Sequence, residues 1–487
     1  MREISQVLVK NTYSIKNSLE IIDLNLGSIL LLVDDNDILI RTISDGDIRR
    51  MLLAGFTLED TLEKLPSQDY ISATLDTSLD EVLITMKQNL IDQIPVLNQQ
   101  LKPIGIFLKE DLEPNIQLSI PHMSGFERAY VEEAFDSNWI APLGPNVDGF
   151  EKEFSKYIGG SYATAVNSGT SAIHLGLILL NVVKGDIVLC SSFTFVASAN
   201  PILYQGAKPV FIDSEPKTWN MCPLALEQAI EATIKSGEKP KAIIVAHLYG
   251  QSADMNKIME LSKYYNIPVI EDSAESLGSL YKNKHTGTMG AFGIFSFNGN
   301  KIITTSGGGM LISDNKEMIK KAQFLSTQAR DDMPYYEHSE VGYNYRMSNI
   351  LAGIGRGQLK VLDKRVNEKR GIYDFYQKNL LHDALDWMPE PIGDYSNRWL
   401  SVVSINPNKT NKVPKELIKT LRAKNIEARH VWKPMHLQPL FSGCSYYKSS
   451  DKGFCDYLFS TSLCLPSASS MSREKQELVV SELLKAI

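Results

Sequence analysis

Apolar residues near the N-terminus recur at a helical spacing, and the same pattern returns after 64 positions. The equivalent apolar positions of the two copies are Ile15 and Leu79, Leu19 and Leu83, and Ile22 and Met86. In each copy two strand-like runs and an acidic segment follow, at 28–48 and 93–112. A helix followed by a strand pair in both copies predicts a duplicated β-β-α unit.

Continuous apolar runs dominate the middle of the chain, where they alternate with helical patterns. The runs are Ile187–Cys190, Pro209–Ile212, Ala242–Ala246 and Ile267–Ile270. Short runs without polar alternation are typical of strands buried on both faces, so we predict an α/β domain with a mainly parallel sheet.

Beyond residue 380 the pattern changes. A strand-like run, Trp399–Ile405, precedes a helix predicted over Pro414–Lys424 and an amphipathic helix after Ser472, which together predict a smaller α+β lobe. The aperiodic segment 113–119, which contains a proline, is interpreted as a linker. The predicted domains are residues 1–113, 120–385 and 386–487.

Composition and charge narrow the class of partner. The formal net charge of −7 is spread over interspersed charged residues, which leaves no basic stripe for nucleic acid. The polar N-terminus lacks the apolar segment of a signal peptide, and the apolar stretch 172–183 is too short to span a bilayer. We therefore expect a cytoplasmic protein that contacts neither membrane nor nucleic acid.

The cysteines and histidines point to no metal or disulfide chemistry. The 5 cysteines are scattered and form no CxxC pair, and the 8 histidines show no metal-ligand spacing. We therefore expect no metal site.

Small and hydroxylated residues at 167–172 lead directly into an apolar helical run. A helix that starts this way aims free amide groups and a positive dipole end at an anion such as a phosphate. An ordinary serine or threonine cap would explain the same residues, so this pattern alone leaves both interpretations open.

Three residues with useful chemistry follow predicted buried strands. Asp272 follows the run 267–270, and side chains at the carboxyl ends of parallel strands line ligand crevices, although a helix cap is an alternative. Lys301 lies between two compact apolar segments, where partial desolvation of its ammonium would suit a Schiff-base lysine. Phe195 brings a ring to the same crevice edge, although core packing explains most such rings.

Five segments, read in order, resemble the motif series of the DegT/DnrJ/StrS sugar aminotransferases, a branch of the fold-type I pyridoxal phosphate (PLP) enzymes. The segments are NSGTSA (167–172), FTFVASAN (193–200), VIEDSAES (269–276), FSFNGNKIITTSGGGM (295–310) and GYNYRMSN (342–349). The resemblance extends from about Pro121 to the C-terminus. It implies a fold-type I architecture, PLP as the cofactor and a homodimer with shared active sites.

The resemblance also implies a role for each matching residue. Lys301 would carry PLP through its amine and move the proton, while Asp272 would pair with the protonated pyridine nitrogen. Phe195 would stack on the ring, and Glu275, where relatives often have His or Gln, would contact the phenolic oxygen. The residues implied at the cofactor phosphate are Gly169, Thr170, Ser296 and, from the neighbouring subunit, Asn344. Candidate contacts to a sugar nucleotide are Trp139, Arg346, Trp432 and Lys433.

Within that family, five segments most closely resemble the UDP-4-keto-sugar 4-aminotransferases of the N-acetylbacillosamine and legionaminic acid pathways. They are residues 138–145, 298–311, 326–330, 336–338 and 432–438. The implied reaction moves an amino group from glutamate to the 4-keto carbon of a UDP-linked 6-deoxy-N-acetylhexosamine. Such a reaction would serve bacterial glycan or nonulosonic acid biosynthesis.

The segment 42–47 of the N-terminal repeat resembles the signature of a tandem CBS pair, in which a hydroxyl residue and an aspartate hold a nucleotide ribose. Ser44 and Asp47 match that signature, so an adenine nucleotide is the implied ligand. The sequence departs from it at Arg41, where the family usually has glycine, and at Leu108, the counterpart of Ser44 in the second copy. A pair that only packs against its twin or a neighbouring subunit remains the alternative.

Three other functions remain open at this point. A PLP sugar dehydratase on the same fold would have histidine in place of Lys301. A nucleotide-sensing regulator with an inert PLP domain would not need an intact lysine, aspartate and phosphate loop. An aminotransferase for a free amino acid or a 3-keto sugar is opposed only by the five substrate segments.

Overall fold

The computed structural model describes residues 3–24, 29–65, 69–112, 116–448 and 450–487. The chain divides into two compact units, Met1–Asn115 and Ile116–Ile487. Of the predicted linker, residues 113–115 lie outside the described residues. Ile116 is buried and forms a parallel bridge with Ile426, so residues 116–119 belong to the second unit rather than to a linker.

The first unit contains the predicted duplication. Its elements are β1 (Leu8–Lys10), α1 (Ile15–Leu24), β2 (Leu30–Val33), β3 (Leu39–Ile43), α2 (Asp45–Leu53), α3 (Leu79–Asn89), β4 (Gln93–Leu97), β5 (Pro103–Leu108) and α4 (Lys109–Leu112). A shift of 64 residues places α1, β2, β3 and α2 on α3, β4, β5 and α4. The β-β-α repeat is therefore confirmed.

The two copies of the repeat share one core. β1, β2 and β3 form one sheet, and the antiparallel pair of β4 and β5 forms a second. Leu31 and Val33 from the first sheet lie in the same buried cluster as Ile106 and Leu108 from the second. One face of each sheet is thus buried against its twin, and the other face packs on the helices of its own copy.

The second unit begins with a large α/β region. Its elements are α5 (Phe126–Asp136), α6 (Pro145–Tyr157), β6 (Tyr162–Val166), α7 (Gly169–Leu179), β7 (Ile187–Ser191), α8 (Asn200–Tyr204), β8 (Lys208–Ile212), α9 (Pro223–Lys235), β9 (Ala242–Ala246), α10 (Met255–Tyr265), β10 (Val269–Asp272), β11 (Leu280–Tyr281), β12 (Lys284–His285), β13 (Phe292–Ser296), β14 (Gly309–Ser313), α11 (Lys316–Ser326), α12 (Asn349–Leu359) and α13 (Leu362–Asn379).

The remaining elements build a smaller lobe and complete the large sheet. They are β15 (Leu385–Trp387), β16 (Asp394–Tyr395), β17 (Ser401–Ile405), α14 (Pro414–Arg422), β18 (Arg429–His430), β19 (Tyr446–Tyr447), α15 (Phe454–Thr461), β20 (Ser462–Leu465) and α16 (Arg473–Ala486). The strands β15, β17, β20 and β18 form an antiparallel sheet in that order. Residues of α13, α14 and α16 complete its core, so the predicted α+β lobe is present.

The central sheet has the order β19-β8-β7-β9-β10-β13-β14-β6. Every strand runs parallel to the others except β14, which is antiparallel to both neighbours. The four predicted strands are the adjacent strands β8, β7, β9 and β10, and the apolar residues of these runs are buried because helices cover both faces. The predicted mainly parallel sheet is therefore confirmed.

Among the residues that the structure describes, no helix combines the length and the apolar character needed to cross a bilayer.

Candidate active site

A cavity of about 290 Å³ opens where the central strands end. The segments after β7, β9, β10 and β13 and the first turn of α7 all contribute to its wall. Seven residues that the sequence linked to the cofactor line it together: Gly169, Thr170, Phe195, Asp272, Glu275, Ser296 and Lys301. The carboxyl ends of parallel strands converge at one sheet edge, which explains why residues so distant in sequence meet there.

One end of the cavity suits an anion. Ser168 caps α7 by accepting a hydrogen bond from the amide of Ser171 at 3.1 Å. Gly169 and Thr170 occupy the first two helical positions, whose amides have no partner within the helix, and both line the cavity. The serine cap and the anion site, which the sequence left as alternatives, are therefore both present, because the capped start of α7 also faces the cavity.

Gly169 has a packing reason to be glycine. A Cβ atom at this position would lie 3.2 Å from the Cβ of Ser296, the residue that ends β13. The backbone of α7 can therefore approach β13 closely, which brings the amide groups of α7 and the Ser296 hydroxyl to the same end of the cavity.

Asp272 ends β10 and is only 7% exposed, with its side chain on the cavity wall. The hydroxyl of Ser198 donates to Oδ2 at 2.5 Å, and the amide of Ala274 donates to Oδ1 at 3.1 Å. Thr194 Oγ1 lies 2.7 Å from Ser198 Oγ and completes the chain. Sequence reasoning missed Ser198, although its place in the FTFVASAN segment, three residues after Phe195, was a usable signal.

Lys301 lies between an acidic and an aromatic neighbour. Its Nζ is 3.7 Å from Glu275 Oε1 and 4.2 Å from the ring centroid of Trp399, within the range of a cation–π interaction. Burial raises the pKa of Glu275, while the Lys301 ammonium and the amide of Tyr249 act in the opposite direction. Trp399 comes from the small lobe, and sequence reasoning did not identify it.

Aromatic rings form part of the cavity wall. The Trp432 ring lies 5.2 Å from that of Phe195, and its Nε1 donates to Glu275 Oε1 at 3.1 Å. The buried Tyr249 ring stacks with Trp432 at 6.0 Å and with Trp399 at 6.2 Å. Of the four candidate sugar-nucleotide contacts, Trp432 lies in this cavity.

A hydrogen-bonded chain fixes the segment that carries Trp432. His436 Nδ1 is 2.7 Å from Ser192 Oγ, and its Nε2 is 3.1 Å from Asp456 Oδ1. The same three residue types form hydrolase triads, but Ser192 is fully buried and cannot reach a substrate. These hydrogen bonds therefore hold the segment 432–438 against the end of β7.

The other three candidate substrate residues, and the predicted phosphate residue Asn344, lie outside this cavity within one chain. Asn344 and Arg346 line a separate cavity of about 890 Å³. The guanidinium of Arg346 is buried and bonded to Glu151, Thr164 Oγ1 and the Ala165 carbonyl. Trp139 is half-exposed and donates to the Leu143 carbonyl, and Lys433 is exposed.

Asn344 is nevertheless close to the first cavity through one contact. Asn167, which lines the first cavity, donates from Nδ2 to the Asn344 carbonyl at 3.1 Å. Leu143, Thr327 and Gln328 join Asn344 in the second cavity, so three of the segments singled out by resemblance meet there.

In the N-terminal unit, the predicted nucleotide residues contact each other. Ser44 caps α2, and Asp47 Oδ2 accepts from the Ser44 amide at 2.8 Å and from its hydroxyl at 2.7 Å. Asp47 Oδ1 pairs with Arg50 at 2.8 Å and with the buried Arg41 at 3.2 Å. The position where the CBS pattern usually has glycine is thus occupied here by the charged side chain of Arg41.

The part of the chain that the structure describes contains no cluster of three or more His, Cys, Asp or Glu side chains able to hold a metal ion.

Residues 121–484 match the DegT/DnrJ/EryC1/StrS aminotransferase family, and residues 62–113 match the CBS domain. The chain belongs to the DegT/DnrJ/EryC1/StrS aminotransferase family. It is a PLP-dependent aminotransferase with the fold-type I architecture, preceded by a CBS domain. The resemblance inferred from the five motifs and from the repeat is confirmed.

Individual relatives cover most of the aminotransferase. EpsN of Bacillus subtilis (strain 168), named as a candidate PLP-dependent aminotransferase, is 54% identical over 77% of this chain and 96% of its own length. A GDP-perosamine synthase of Escherichia coli O157:H7 is 39% identical over 73% of this chain and 94% of its own length. The crystal structure of a DegT DnrJ EryC1 StrS aminotransferase from Brucella abortus superposes with a TM-score of 0.69 at 28% identity, covering 74% of this chain and 94% of that one.

A third relative carries a UDP-sugar in its name. The UDP-4-amino-4,6-dideoxy-N-acetyl-β-L-altrosamine transaminase of Campylobacter jejuni subsp. jejuni serotype O:23/36 (strain 81-176) is 40% identical over 48% of this chain and 62% of its own length.

The residues around the aminotransferase cavity fit PLP. The close approach of Gly169 to Ser296 leaves amide and hydroxyl donors for a phosphate at one end. Asp272 offers a carboxylate for a ring nitrogen, Lys301 an amine for the aldehyde carbon, and Phe195 a half-exposed ring for stacking. The phosphate, the pyridine nitrogen, the aldehyde and the ring face of this cofactor each have a matching group in the cavity, and Glu275 lies on the same wall for the phenolic oxygen.

Proposed function

We propose that this aminotransferase moves an amino group from glutamate to the 4-keto carbon of a UDP-linked 6-deoxy-N-acetylhexosamine, for bacterial glycan or nonulosonic acid biosynthesis. The observation that carries the proposal is the convergence of Lys301, Asp272 and Glu275 on one cavity at the carboxyl ends of the central strands. The UDP-sugar assignment is supported by the five substrate segments and by the name of the Campylobacter relative.

In this proposal each cavity residue has one task. The amides of Gly169 and Thr170 and the hydroxyl of Ser296 hold the phosphate, and Phe195 covers one ring face. Asp272, oriented by Ser198, keeps the ring nitrogen protonated, because an ionised carboxylate favours a neighbouring cation. PLP, when bound, supplies an electron-withdrawing ring that stabilises negative charge at the carbon that loses a proton.

Lys301 acts as the base and the acid of both half-reactions. With PLP bound, its amine would hold the aldehyde carbon, and as a free amine it would accept the proton from the donor α-carbon and donate it to the cofactor carbon. Glu275, 3.7 Å away, stabilises the protonated amine, and the Trp399 face supports the same charge. In the second half-reaction the same amine moves the proton in the opposite direction, which leaves an amine on the sugar.

A GDP-linked keto sugar is the second candidate substrate. The GDP-perosamine synthase of Escherichia coli favours it, because that similarity covers 73% of this chain and 94% of the synthase. The similarity to the Campylobacter transaminase covers 48% of this chain and 62% of the transaminase. The two candidates share the chemistry at the keto carbon and differ in the nucleotide.

Direct incubation separates the two substrates. The purified enzyme is mixed with glutamate and either UDP-4-keto-6-deoxy-N-acetylhexosamine or a GDP-linked 4-keto-6-deoxyhexose, and the amino sugar is detected by mass spectrometry. Amination of the UDP-sugar alone, or with much higher kcat/KM, is the expected result. Turnover restricted to the GDP-sugar would overturn the UDP assignment while retaining the aminotransferase.

The role of Lys301 is tested by reduction and substitution. Borohydride treatment of the yellow holoenzyme should attach the cofactor covalently to Lys301, as detected by mass spectrometry of the peptides. Lys301→Ala should lose transamination while the fold is retained. Lys235→Ala, which removes an exposed lysine at the end of α9, is the matched control and should behave as wild type. Normal turnover by Lys301→Ala would require another base.

We further propose that the enzyme is a homodimer in which Asn344 contacts the cofactor phosphate of the neighbouring subunit. The location of Asn344 outside the Lys301 cavity of its own chain supports this arrangement. Mixing Lys301→Ala subunits with Asn344→Ala subunits should restore activity, because one site of each mixed dimer then receives both native residues. No recovery in a dimer shown to be mixed would contradict shared sites.

An adenine nucleotide at the CBS pair remains a weaker proposal. Ser44 and Asp47 match the ribose signature, but four hydrogen bonds and ion pairs within the unit already engage the Asp47 carboxylate. Calorimetry of the full-length protein with AMP and ATP is the test, and an absence of heat would favour a packing role for the pair.

A further inference from the structure

A lysine that the proposed chemistry does not use lies fully buried behind the active site. Lys369, on α13, is 2% exposed. Its Nζ donates to the Ser467 carbonyl at 2.8 Å and to the Trp399 carbonyl at 3.0 Å, and it lies 3.4 Å from Ser119 Oγ. Buried lysines are costly and uncommon without a carboxylate partner, and the three contacts of this ammonium are two carbonyls and a hydroxyl.

Two of those three partners converge on the peptide bond that precedes Lys301. The Ser119 hydroxyl donates to the Asn300 carbonyl at 3.1 Å, and the Trp399 indole donates to the same oxygen at 2.7 Å. That carbonyl belongs to the peptide joining Asn300 to Lys301, so both bonds hold the backbone from which the Lys301 side chain extends.

Trp399 also contacts the other end of Lys301. Its ring lies 4.2 Å from Nζ, so one residue fixes the start of the lysine and faces its ammonium. The position of Trp399 depends in turn on its own carbonyl, which is bound by Lys369, and on stacking with Tyr249. A continuous set of contacts thus links Lys369 to both ends of Lys301.

We propose that Lys369 is a positioning residue for Lys301: it holds Trp399 and Ser119 so that they clamp the Asn300–Lys301 peptide and place the reactive amine. The proposal rests on the role assigned to Lys301 above. Lys369 touches neither substrate nor cofactor and acts only through the clamp.

The electrostatics of the site agree with a dedicated role. Burial lowers the pKa of Lys369 to about 7, and the carboxylate of Glu368 offsets this only in part. A group that served packing alone would not need a charge at this position, because a methionine of similar length would fill the same space without desolvating an ammonium.

Lys369→Met tests the clamp in the full-length holoenzyme. We expect kcat to fall about 10- to 100-fold with little change in the KM of the nucleotide sugar, because a small displacement of the reacting amine affects chemistry more than binding. In the cofactor-free protein, acetic anhydride labelling of Lys301, followed by mass spectrometry, should become several-fold faster as the amine leaves the Trp399 face.

Two further variants address the same contacts one at a time. Ser119→Ala and Trp399→Phe each remove one donor to the Asn300 carbonyl, and both should raise Lys301 labelling in the cofactor-free protein. Combined with Lys369→Met, each should add less than its separate effect, because the residues act as one unit. Lys364→Met, at an exposed position on the same helix, is the control and should leave both readouts unchanged.

Each outcome decides the proposal. A folded Lys369→Met protein with wild-type kcat and wild-type labelling of Lys301 would overturn it. Should that variant fail to fold, unchanged kcat and labelling in both Ser119→Ala and Trp399→Phe would overturn it equally. Failure of borohydride to label Lys301 in the wild-type holoenzyme would instead refute the proposed role of Lys301, a result distinct from a missing effect of Lys369.

Discussion

Two aspartates that sequence motifs marked as ligand-binding residues lie in opposite environments in the two units. In the N-terminal unit, Asp47 is saturated by donors of its own unit, namely Ser44, Arg41 and Arg50. In the aminotransferase unit, Asp272 accepts two hydrogen bonds and still lines the cavity that contains Lys301.

The difference shows how a carboxylate is reserved for a ligand. Burial alone would raise the pKa of Asp47, but its hydrogen bonds with Ser44 and the guanidinium groups of Arg50 and Arg41 lower it below its usual value. Both oxygens are therefore occupied by fixed partners. Asp272 is held by neutral donors, a hydroxyl and an amide, which orient the carboxylate without neutralising it.

The largest expected effect that would test this contrast is that of Asp272→Asn. Loss of the negative charge beside the pyridine nitrogen should lower kcat about 10²- to 10³-fold, because a preorganised charge in a buried site is then missing. The rate of the absorbance change with glutamate in a single turnover measures it. Asp47→Asn in the same assay should retain wild-type kcat, and equal losses in the two variants would remove the distinction.

The next effect concerns the residue that orients Asp272. Ser198→Ala removes a hydrogen bond to a charged group, and we expect kcat to fall about tenfold, at the lower end of the range for such bonds. Thr194→Val, which removes the partner of Ser198 without touching Asp272, should have a smaller effect in the same single-turnover assay. A larger loss in Thr194→Val than in Ser198→Ala would contradict this order of contacts.

The contrast extends to the buried cations of the two units, because Arg41 is paired with a carboxylate and Lys369 is not. The pKa of Lys369 is lowered to about 7, so between pH 7 and about 10 the unfolded chain binds the proton that the folded protein releases. The cost of burying its charge is thus fully present below pH 7 and disappears as the pH rises. Lys369→Met should flatten the increase in unfolding free energy over this interval, measured by urea denaturation, and an unchanged slope would contradict it.

The smallest effect is expected in the N-terminal unit. Asp47→Asn weakens the capping box of α2 and its two ion pairs, for a local loss of about 1 kcal/mol. Hydrogen exchange of the α2 amides should accelerate accordingly, while exchange in α7 stays constant. Protection of α2 that does not change would show that the Asp47 contacts contribute little to stability.

Much of this arrangement could be predicted from sequence because it depends on local patterns. The runs that became β7, β8, β9 and β10 are apolar on both faces, and such runs have few alternatives to a buried parallel strand. Asp272, Gly169 and Lys301 were located through motifs that resemble those of a known family, and they meet because strand ends and helix starts in an α/β sheet converge at one edge. The 64-residue repeat was predictable for the same reason, since its apolar spacing is visible in each copy.

Other residues could not be found, because their contacts join segments far apart in the chain. Trp399 and Lys301 are 98 positions apart in sequence, and Lys369 reaches Ser119 across 250 positions. No periodicity or short motif records such a contact.

The sequence by itself determined the strands of the central sheet and the N-terminal duplication, since these follow from hydrophobic periodicity. Its motifs, through their resemblance to a known family, also indicated the residues able to carry PLP chemistry. Only the tertiary structure decided which polar groups are already bonded and which face a cavity. Asp47 and Asp272 are equally plausible ligands as letters in a sequence. Their difference arises from donors supplied by other elements, and hydrogen-bond saturation depends on distances in space.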